Sequence, residues 1–337
     1  MLEVLAGVDV GGTRMKVGIA DASGTLLASD ITESASFEDL EAFLRSISNK
    51  IKTMVADVAG VLIGTGVGCP GRIDFKEGRV VWLRSKLEFL EGVSLSERLG
   101  ETLSCRVVVD NDVNTILSGE MRFGAGKGYQ SAIGITVGTG IGGALVSDGR
   151  MLRGKNWAAG HFGYMSSDPS GPRHICGNTG IFEEHASHSG IARQVHKALA
   201  EGESSPLTKL VADDQELGLR ELFDAIEAGD PLACRLGTKL ISELGVMVAN
   251  LVYALDPELI LVGGGLISHR PNLLDLIRRE VETRVEFLQS GATKILPMQL
   301  GDAAGVYGGV ALALEAIAST GRVIHSDASM ERKFDRI

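Results

Sequence analysis

Gly134-Ile-Thr-Val-Gly-Thr-Gly-Ile-Gly-Gly-Ala144 decides how this chain is read. Ala132 to Val137 is a short apolar run of the kind that forms a buried strand. It breaks at Gly138-Thr139-Gly140, and a second strand leaves the turn from Gly142 to Val146. Glycine lets the backbone take positive φ and lets a ligand come close to the peptide N–H groups. Successive free N–H groups form a concave anion site, and Thr139 adds a hydroxyl donor. Phosphate is the natural ligand of such a turn. Alone the motif is weak, because glycine-rich strand turns also occur with no ligand.

A second copy strengthens it. In Ala6-Gly-Val-Asp-Val-Gly-Gly-Thr-Arg-Met-Lys-Val-Gly-Ile-Ala20 an apolar strand again runs into Gly11-Gly12-Thr13 and a strand leaves. Two such hairpins predict two related halves serving one nucleotide. Asp9 ends the first strand, and a carboxylate beside a phosphate nest repels it unless a cation intervenes. Asp9 is therefore expected on the Mg²⁺ side, through water, because Mg²⁺ keeps much of its hydration shell.

A third cluster follows the short strand Arg106–Val109: Asp110-Asn111-Asp112-Val113-Asn114, where a strand meets a helix running to Gly124. Capping needs one such residue, not four. An Asn beside an Asp can hold vicinal hydroxyls, and a carboxylate bonded to a hydroxyl can take its proton as a phosphoryl group arrives.

The bulk properties narrow the classes. With 337 residues there is room for two domains. The 33 basic against 43 acidic residues give a net charge of −10, which argues against nucleic acid as a partner. Cys69, Cys105, Cys176 and Cys234 are scattered, forming no disulfide framework, as in a reducing cytoplasm. No signal peptide and no uninterrupted apolar run of about 18 residues is found, so no membrane partner and a cytoplasmic location are expected.

Along the chain, residues 4–33 predict a three-strand meander and residues 37–57 an amphipathic helix capped by Ser34 or Ser36. Val58–Val67 predicts a covered strand opening onto the Pro70-Gly71 loop. Gly78–Leu95 reads as irregular. Later helices are expected over 182–200, 216–228, 231–255, 273–287 and 301–318, with a strand at 259–262 leading into Gly263-Gly264-Gly265. The tail 322–337 is polar and is expected to be disordered.

Taken together these residues resemble the ROK family of sugar kinases, within the actin-like ATPase superfamily. The resemblance runs over about residues 4–320. Its landmarks are Asp9-Val-Gly-Gly-Thr13, Gly66-Val-Gly-Cys-Pro-Gly71, Asn111-Asp-Val-Asn114 with Gly119-Glu120, Thr136-Val-Gly-Thr-Gly-Ile-Gly-Gly143, Val262-Gly-Gly-Gly265 and Gly301-Asp-Ala-Ala-Gly305. It implies an α/β, two-domain actin-like ATPase (ribonuclease H-like) fold with an interdomain cleft. The small domain would take 1–118 plus 305–321 and the large one 119–304.

The resemblance also implies roles. Asp112 matches the catalytic base. Gly71, Asn111, Asp112, His161, Tyr164 and Glu183 fall on the sugar side. Gly11, Gly12 and Thr13, then Gly138, Thr139 and Gly140, match the two phosphate turns of ATP, and Gly264 and Gly265 the turn beside adenosine. Asp9 sits near Mg²⁺. A homo-oligomer, a homodimer or a tetramer, is implied.

Departures from the family pattern are informative. Members carry Gly-Glu-x-Gly-His where this chain has Gly160-His161-Phe162-Gly163-Tyr164. That His and three cysteines bind a structural zinc in the family. Here the run reads His174-Ile-Cys176-Gly177-Asn-Thr-Gly180-Ile181, so only His174 and Cys176 remain as candidates and no zinc is expected. The loop would then be anchored by Ile181 and Phe182. A sugar-side Asn of the family is replaced near Lys86. Some N-acetylmannosamine kinases of the family look like Gly-His-x-Gly followed by Asp-Pro-x-Gly-Pro, as in Asp168-Pro-Ser-Gly-Pro172. A protonated His161 could donate to the acyl carbonyl.

The expected activity is thus ATP-dependent phosphorylation of a hexose or N-acetylhexosamine, at the 6-hydroxyl, with an N-acetylmannosamine-type substrate favoured. The alternatives are a glucokinase or a catalytically weak sugar-binding or regulatory protein. Regulators of the family carry a DNA-binding segment ahead of the first strand, and only eight residues precede Asp9 here.

Overall fold

The computed structural model describes the chain except residues 1, 35–36, 38, 85–86, 213–216, 287–291 and 322–337. Ser36, Lys86 and the expected disordered tail lie outside the described residues. The chain divides into two compact units, one of Met1–Lys127, Gly154–Trp157 and Asp302–Ile337, the other of Gly128–Arg153 and Ala158–Gly301.

The first unit opens with the expected meander, β1 (Leu2–Val10), β2 (Arg14–Asp21) and β3 (Leu26–Glu33). Helix α1 (Leu40–Asp57) follows, with Phe43, Leu44, Ile47, Ile51 and Met54 on its buried face. Its cap is Asp39, whose carboxylate accepts the Ala42 N–H at 2.7 Å, and not a serine. Ser34 instead ties its own N–H back to the Thr13 carbonyl at 2.8 Å, so the helix starts later than expected.

β4 (Gly60–Cys69), the small hairpin β5 (Arg72–Asp74) and β6 (Arg79–Trp82), α2 (Leu95–Leu103), β7 (Arg106–Asn111) and α3 (Asp112–Phe123) complete the run. Part of the stretch expected to be irregular thus pairs as β5–β6. β7 extends two residues past Val109 because Asp110 and Asn111 pair with Gly68 and Cys69 of β4. The sheet order is β3-β2-β1-β4-β7, antiparallel in the meander and parallel from β1 onward.

The second unit repeats that plan. It contains β8 (Ala132–Val137), β9 (Ile141–Ser147), β10 (Arg150–Met151), α4 (Phe182–Ala186), α5 (His188–Ala200), α6 (Thr208–Ala212), α7 (Leu219–Glu227), α8 (Pro231–Leu255), β11 (Leu259–Gly263), α9 (Gly265–His269), α10 (Asn272–Glu282) and β12 (Lys294–Pro297). Its sheet order is β10-β9-β8-β11-β12, again an antiparallel meander followed by parallel pairing. Each sheet turns through a glycine–threonine loop at the same point, between its first two strands. The single helix expected over 182–200 is two helices. Ser187 is extended at φ −98°, ψ 167°, and its hydroxyl caps α5 by accepting the Gly190 N–H at 3.0 Å.

Among the described helices α8 alone is long and apolar enough to cross a membrane, although Lys239 and Glu243 interrupt it. Leu236, Leu240, Leu244, Met247, Val248, Leu251 and Val252 of α8 are buried in the core of this unit.

The chain then returns to the first unit as α11 (Ala304–Ala318). β1 alternates cleanly: Val4, Ala6, Val8 and Val10 pack in the cluster with α1, whereas Leu5 packs with Val310, Ala313, Leu314 and Ile317 of α11. The helix lies on glycine. A Cβ on Gly7 would sit 2.0 Å from the Val306 carbonyl oxygen, and one on Gly66 1.9 Å from that of Gly309.

Candidate active site

In the first unit the strand ends bring Asp9, Gly71, Asn111 and Asp112 together. Asn111 is the cap of α3, its side-chain oxygen accepting the N–H groups of Val113 at 3.0 Å and Asn114 at 3.2 Å. Its amide donates to the Gly71 carbonyl at 2.9 Å. Gly71 must be glycine, since φ is +91° and a Cβ would meet the Trp82 carbonyl oxygen at 2.4 Å. Asp110 is buried. It accepts the Asn111 N–H at 2.8 Å and the Asn114 side-chain amide at 3.0 Å.

Asp112 opens α3 and accepts the Val113 N–H at 3.0 Å. Its side chain keeps some accessible surface, yet the protein packed around it disfavours charge. Burial, reinforced by the nearby Asp9 carboxylate, pushes its pKa up to about 7, against the pull of the Val113 and Asn111 bonds. A carboxylate that ionises near neutrality is matched to general-base work.

Asp9 lies one residue short of the end of β1. Burial pushes its pKa up, and Lys16, directly opposite on β2, opposes the shift. Gly305, in the first turn of α11, leaves room for it, as a Cβ there would be 2.3 Å from the Asp9 carboxyl carbon. Asp9 accepts no hydrogen bond from any described residue, while Lys16 is drawn to the Asp302 carbonyl at 2.7 Å. A largely enclosed carboxylate without a donor fits a hydrated divalent cation.

The two turns fit phosphate. Gly11 closes the first by donating to the Arg14 carbonyl at 2.9 Å, and Gly138 closes the second by donating to the Gly140 carbonyl at 3.0 Å. The N–H groups of Gly12, Thr13, Thr139 and Gly140 make no hydrogen bond to a described residue. A Cβ on Gly12 or Gly138 would meet nothing within 4 Å. These positions leave the backbone open to an anion.

The second turn is braced from behind. The first N–H groups of α5 are consumed by the turn, His188 donating to the Gly138 carbonyl at 2.9 Å and Ser189 to that of Thr139 at 3.2 Å. Glu183 packs over Gly140, and its Oε2 accepts the Ile141 N–H at 2.8 Å. Burial raises the Glu183 pKa, with the Ile141 bond opposing. Sequence reading missed this tether, because nothing in the chain marks residues 141 and 183 as neighbours.

Beside the turn lies a cavity of about 180 Å³, lined by Gly138, Thr139, Gly265 and Leu266 on one side and by Leu219, Arg220 and Phe223 of α7 on the other. Gly265 was expected here; the α7 residues were not. Gly264, at φ +94°, sits against the Val137 backbone, where a Cβ would be 2.3 Å from the carbonyl oxygen.

His161 precedes the short turn Phe162–Tyr164, and Tyr164 is its last residue. Three rings stack in sequence, His161 on Tyr164 with centroids 5.8 Å apart and Tyr164 on His174 at 5.5 Å. His161 Nδ1 lies 3.2 Å from the Ala158 carbonyl. That contact puts the proton of a neutral ring on Nδ1 and its lone pair on Nε2. His174 accepts the Cys176 N–H on Nδ1 at 3.2 Å and turns Nε2 towards Glu184, 4.0 Å away. Among the described residues no three His, Cys, Asp or Glu side chains are grouped to hold a metal, and the donors at His174 and Cys176 do not fit zinc. The loop ends on Ile181 and Phe182, both fully enclosed.

Two sheets of one topology, each carrying a Gly-Thr turn with open N–H groups, define an actin-like ATPase fold. The chain belongs to the ROK family, whose model matches residues 5–316. It is 31% identical over 307 residues to a glucokinase of Halalkalibacterium halodurans, covering 90% of this chain and 92% of the relative. The structure of a ROK family glucokinase from Streptomyces griseus, in complex with glucose and AMPPNP, superposes with a TM-score of 0.75 at 28% identity over 93% of this chain and 99% of that one. A Listeria monocytogenes protein proposed as an N-acetylmannosamine kinase gives a TM-score of 0.75 at 26% identity over 96% and 100%.

Proposed function

We propose that this chain transfers the γ-phosphoryl group of ATP to the 6-hydroxyl of a hexose, with an N-acetylated hexosamine of the N-acetylmannosamine type preferred. That it is an ATP-dependent sugar kinase follows from its family and its relatives. The observation that carries the mechanism is Asp112, with a pKa of about 7, beside Asn111. Asp112 accepts the proton of the acceptor hydroxyl as it attacks, and the Asn111–Gly71 strap fixes the start of α3 so that this carboxylate keeps its aim. The Gly12–Thr13 and Thr139–Gly140 N–H groups hold the phosphates. Asp9 would hold Mg²⁺, which when bound neutralises phosphate charge.

His161 supports the acetamido reading. With Nδ1–H directed to Ala158, Nε2 of the neutral ring is an acceptor suited to the N–H of an acetamido group or to a hydroxyl, and in the protonated ring it is a donor suited to the acyl carbonyl. The Listeria neighbour points the same way. A glucokinase is the second reading, favoured by the names of the Halalkalibacterium and Streptomyces proteins. Measuring kcat/KM for glucose and N-acetylmannosamine side by side decides between them. Glucose winning by about tenfold or more would sink the first reading.

A further inference from the structure

Arg270 lines the cavity beside the second turn, and an arginine there would ordinarily be read as a phosphate contact. Its surroundings say otherwise. It ends α9, the helix that starts at Gly265, and its guanidinium is already forked. Nη2 bonds the Asp224 carboxylate at 2.6 Å and Nη1 bonds that of Glu227. Both acids stand on α7. Arg220, Phe223, Asp224 and Glu227 follow the i, i+3, i+4, i+7 spacing of one helix face. The face that walls the cavity is therefore the face that carries the two acids. Two carboxylates on one guanidinium leave the trio with net negative charge, which cannot attract a triphosphate. Arg220, by contrast, has no carboxylate partner among the described residues and supplies the cavity's cation.

We propose that Arg270 is a positioning residue for the nucleotide: clamped by Asp224 and Glu227, it sets the position of α7 as a wall of the nucleotide cavity and does not touch the nucleotide itself. This rests on the reading that the cavity takes the nucleoside end of ATP. The wall is tied to the glycine turn through this arginine at one end of the helix. At the other end α7 has no side-chain cap, only the Glu221 carboxylate on the Gly218 N–H at 3.0 Å. Releasing the clamp shifts the α7 face that carries Arg220 and Phe223 relative to the nucleoside, while its core side stays packed, and leaves the sugar side and Asp112 untouched.

The test compares Arg270→Ala with the pair Asp224→Asn/Glu227→Gln in the full chain, reading ATP affinity by calorimetry together with kcat and both KM values. Arg270→Ala should raise the Kd and KM for ATP about tenfold, with kcat and the sugar KM within about twofold. The carboxamide pair should raise them in the same direction, and combining all three changes should add little beyond Arg270→Ala alone. Arg270→Lys should fall between, because an ammonium cannot fork to both acids. If the carboxamide pair leaves ATP affinity unchanged or tightens it while Arg270→Ala weakens it, Arg270 contacts the nucleotide and the proposal falls. It falls equally if Arg270→Ala leaves ATP affinity within about twofold. Absence of phosphoryl transfer in the parent, with ATP binding intact, would sink the kinase reading alone, since the calorimetric arm still reads the clamp.

Discussion

Asn111 donates its side-chain amide to the carbonyl of Gly71 at 2.9 Å while its oxygen caps the helix that begins at Asp112. One side chain thus ties the loop after β4 to the residue proposed as base. Asn111→Asp keeps the capping oxygen and loses the donor, so melting should stay within about 1 kcal/mol of the parent while kcat falls. Asn111→Ala loses both and should cost about 1–2 kcal/mol as well, by chemical denaturation. Unchanged kcat in Asn111→Asp would show that the strap does not aim Asp112.

Asp112 sets a pH signature in two observables. As a base it must be ionised, so kcat/KM should fall about tenfold per pH unit below pH 7. Asp112→Asn should lower kcat by roughly 10²–10⁴-fold. The stability effect has the opposite sense. The folded pKa lies above the unfolded one, so the folded state holds the extra proton between about pH 4 and 7, and stability falls as pH rises through that window. Above pH 7 the cost is on the order of 4 kcal/mol. Asp112→Asn should therefore melt higher than the parent at pH 8 and alike at pH 4. Equal melting at both would mean the carboxylate is not strained by its surroundings.

Glu183 offers two oxygens with separate duties. Oε2 holds the Ile141 N–H, and Oε1, which takes no hydrogen bond from a described residue, is the acceptor that the proposed sugar contact would use. Glu183→Gln can keep the tether but replaces the second acceptor with a donor, so the sugar KM should rise about tenfold while the ATP KM holds. Glu183→Ala should raise both. A rise in the ATP KM alone for both variants would restrict Glu183 to bracing the phosphate turn.

The same substitution should act differently at two glycines. Gly66→Ala drives a methyl to 1.9 Å from the Gly309 carbonyl oxygen and should cost about 3 kcal/mol or prevent folding. Gly12→Ala meets nothing within 4 Å, so it should fold normally and lose ATP affinity, because the methyl occupies the space proposed for phosphate. Normal ATP binding by Gly12→Ala would remove that turn from the site.

Much of this was legible in the sequence because it is local. The Gly-Thr turns, the strand end at Asp9 and the polar cluster at 110–114 each lie within a few residues of one strand terminus, and their chemistry follows from residue type. The wall of the cavity proposed for the nucleotide was not legible. Leu219 and Phe223 sit on an amphipathic helix whose apolar face reads as ordinary core, and the Arg270 partners lie far back in the chain. The helix break at Ser187 could have been found, since a serine three residues before Gly190 is a capping signal that continuous apolar spacing obscured. Asp39 shows the reverse error, where the nearer serines drew the cap too early.

The seat of α11 has a temporal consequence. The helix comprises residues 304–318, yet the glycine-lined bed it covers on β1 and β4 is made of residues 2–69. During synthesis Leu5 and its neighbours stay uncovered while about 180 further residues are added beyond α3, roughly 10–40 s at ordinary elongation rates. The second unit, nearly continuous in the chain, can close in that interval. The unit that begins first therefore closes after the second, and the nascent chain must carry an open apolar sheet face until α11 emerges.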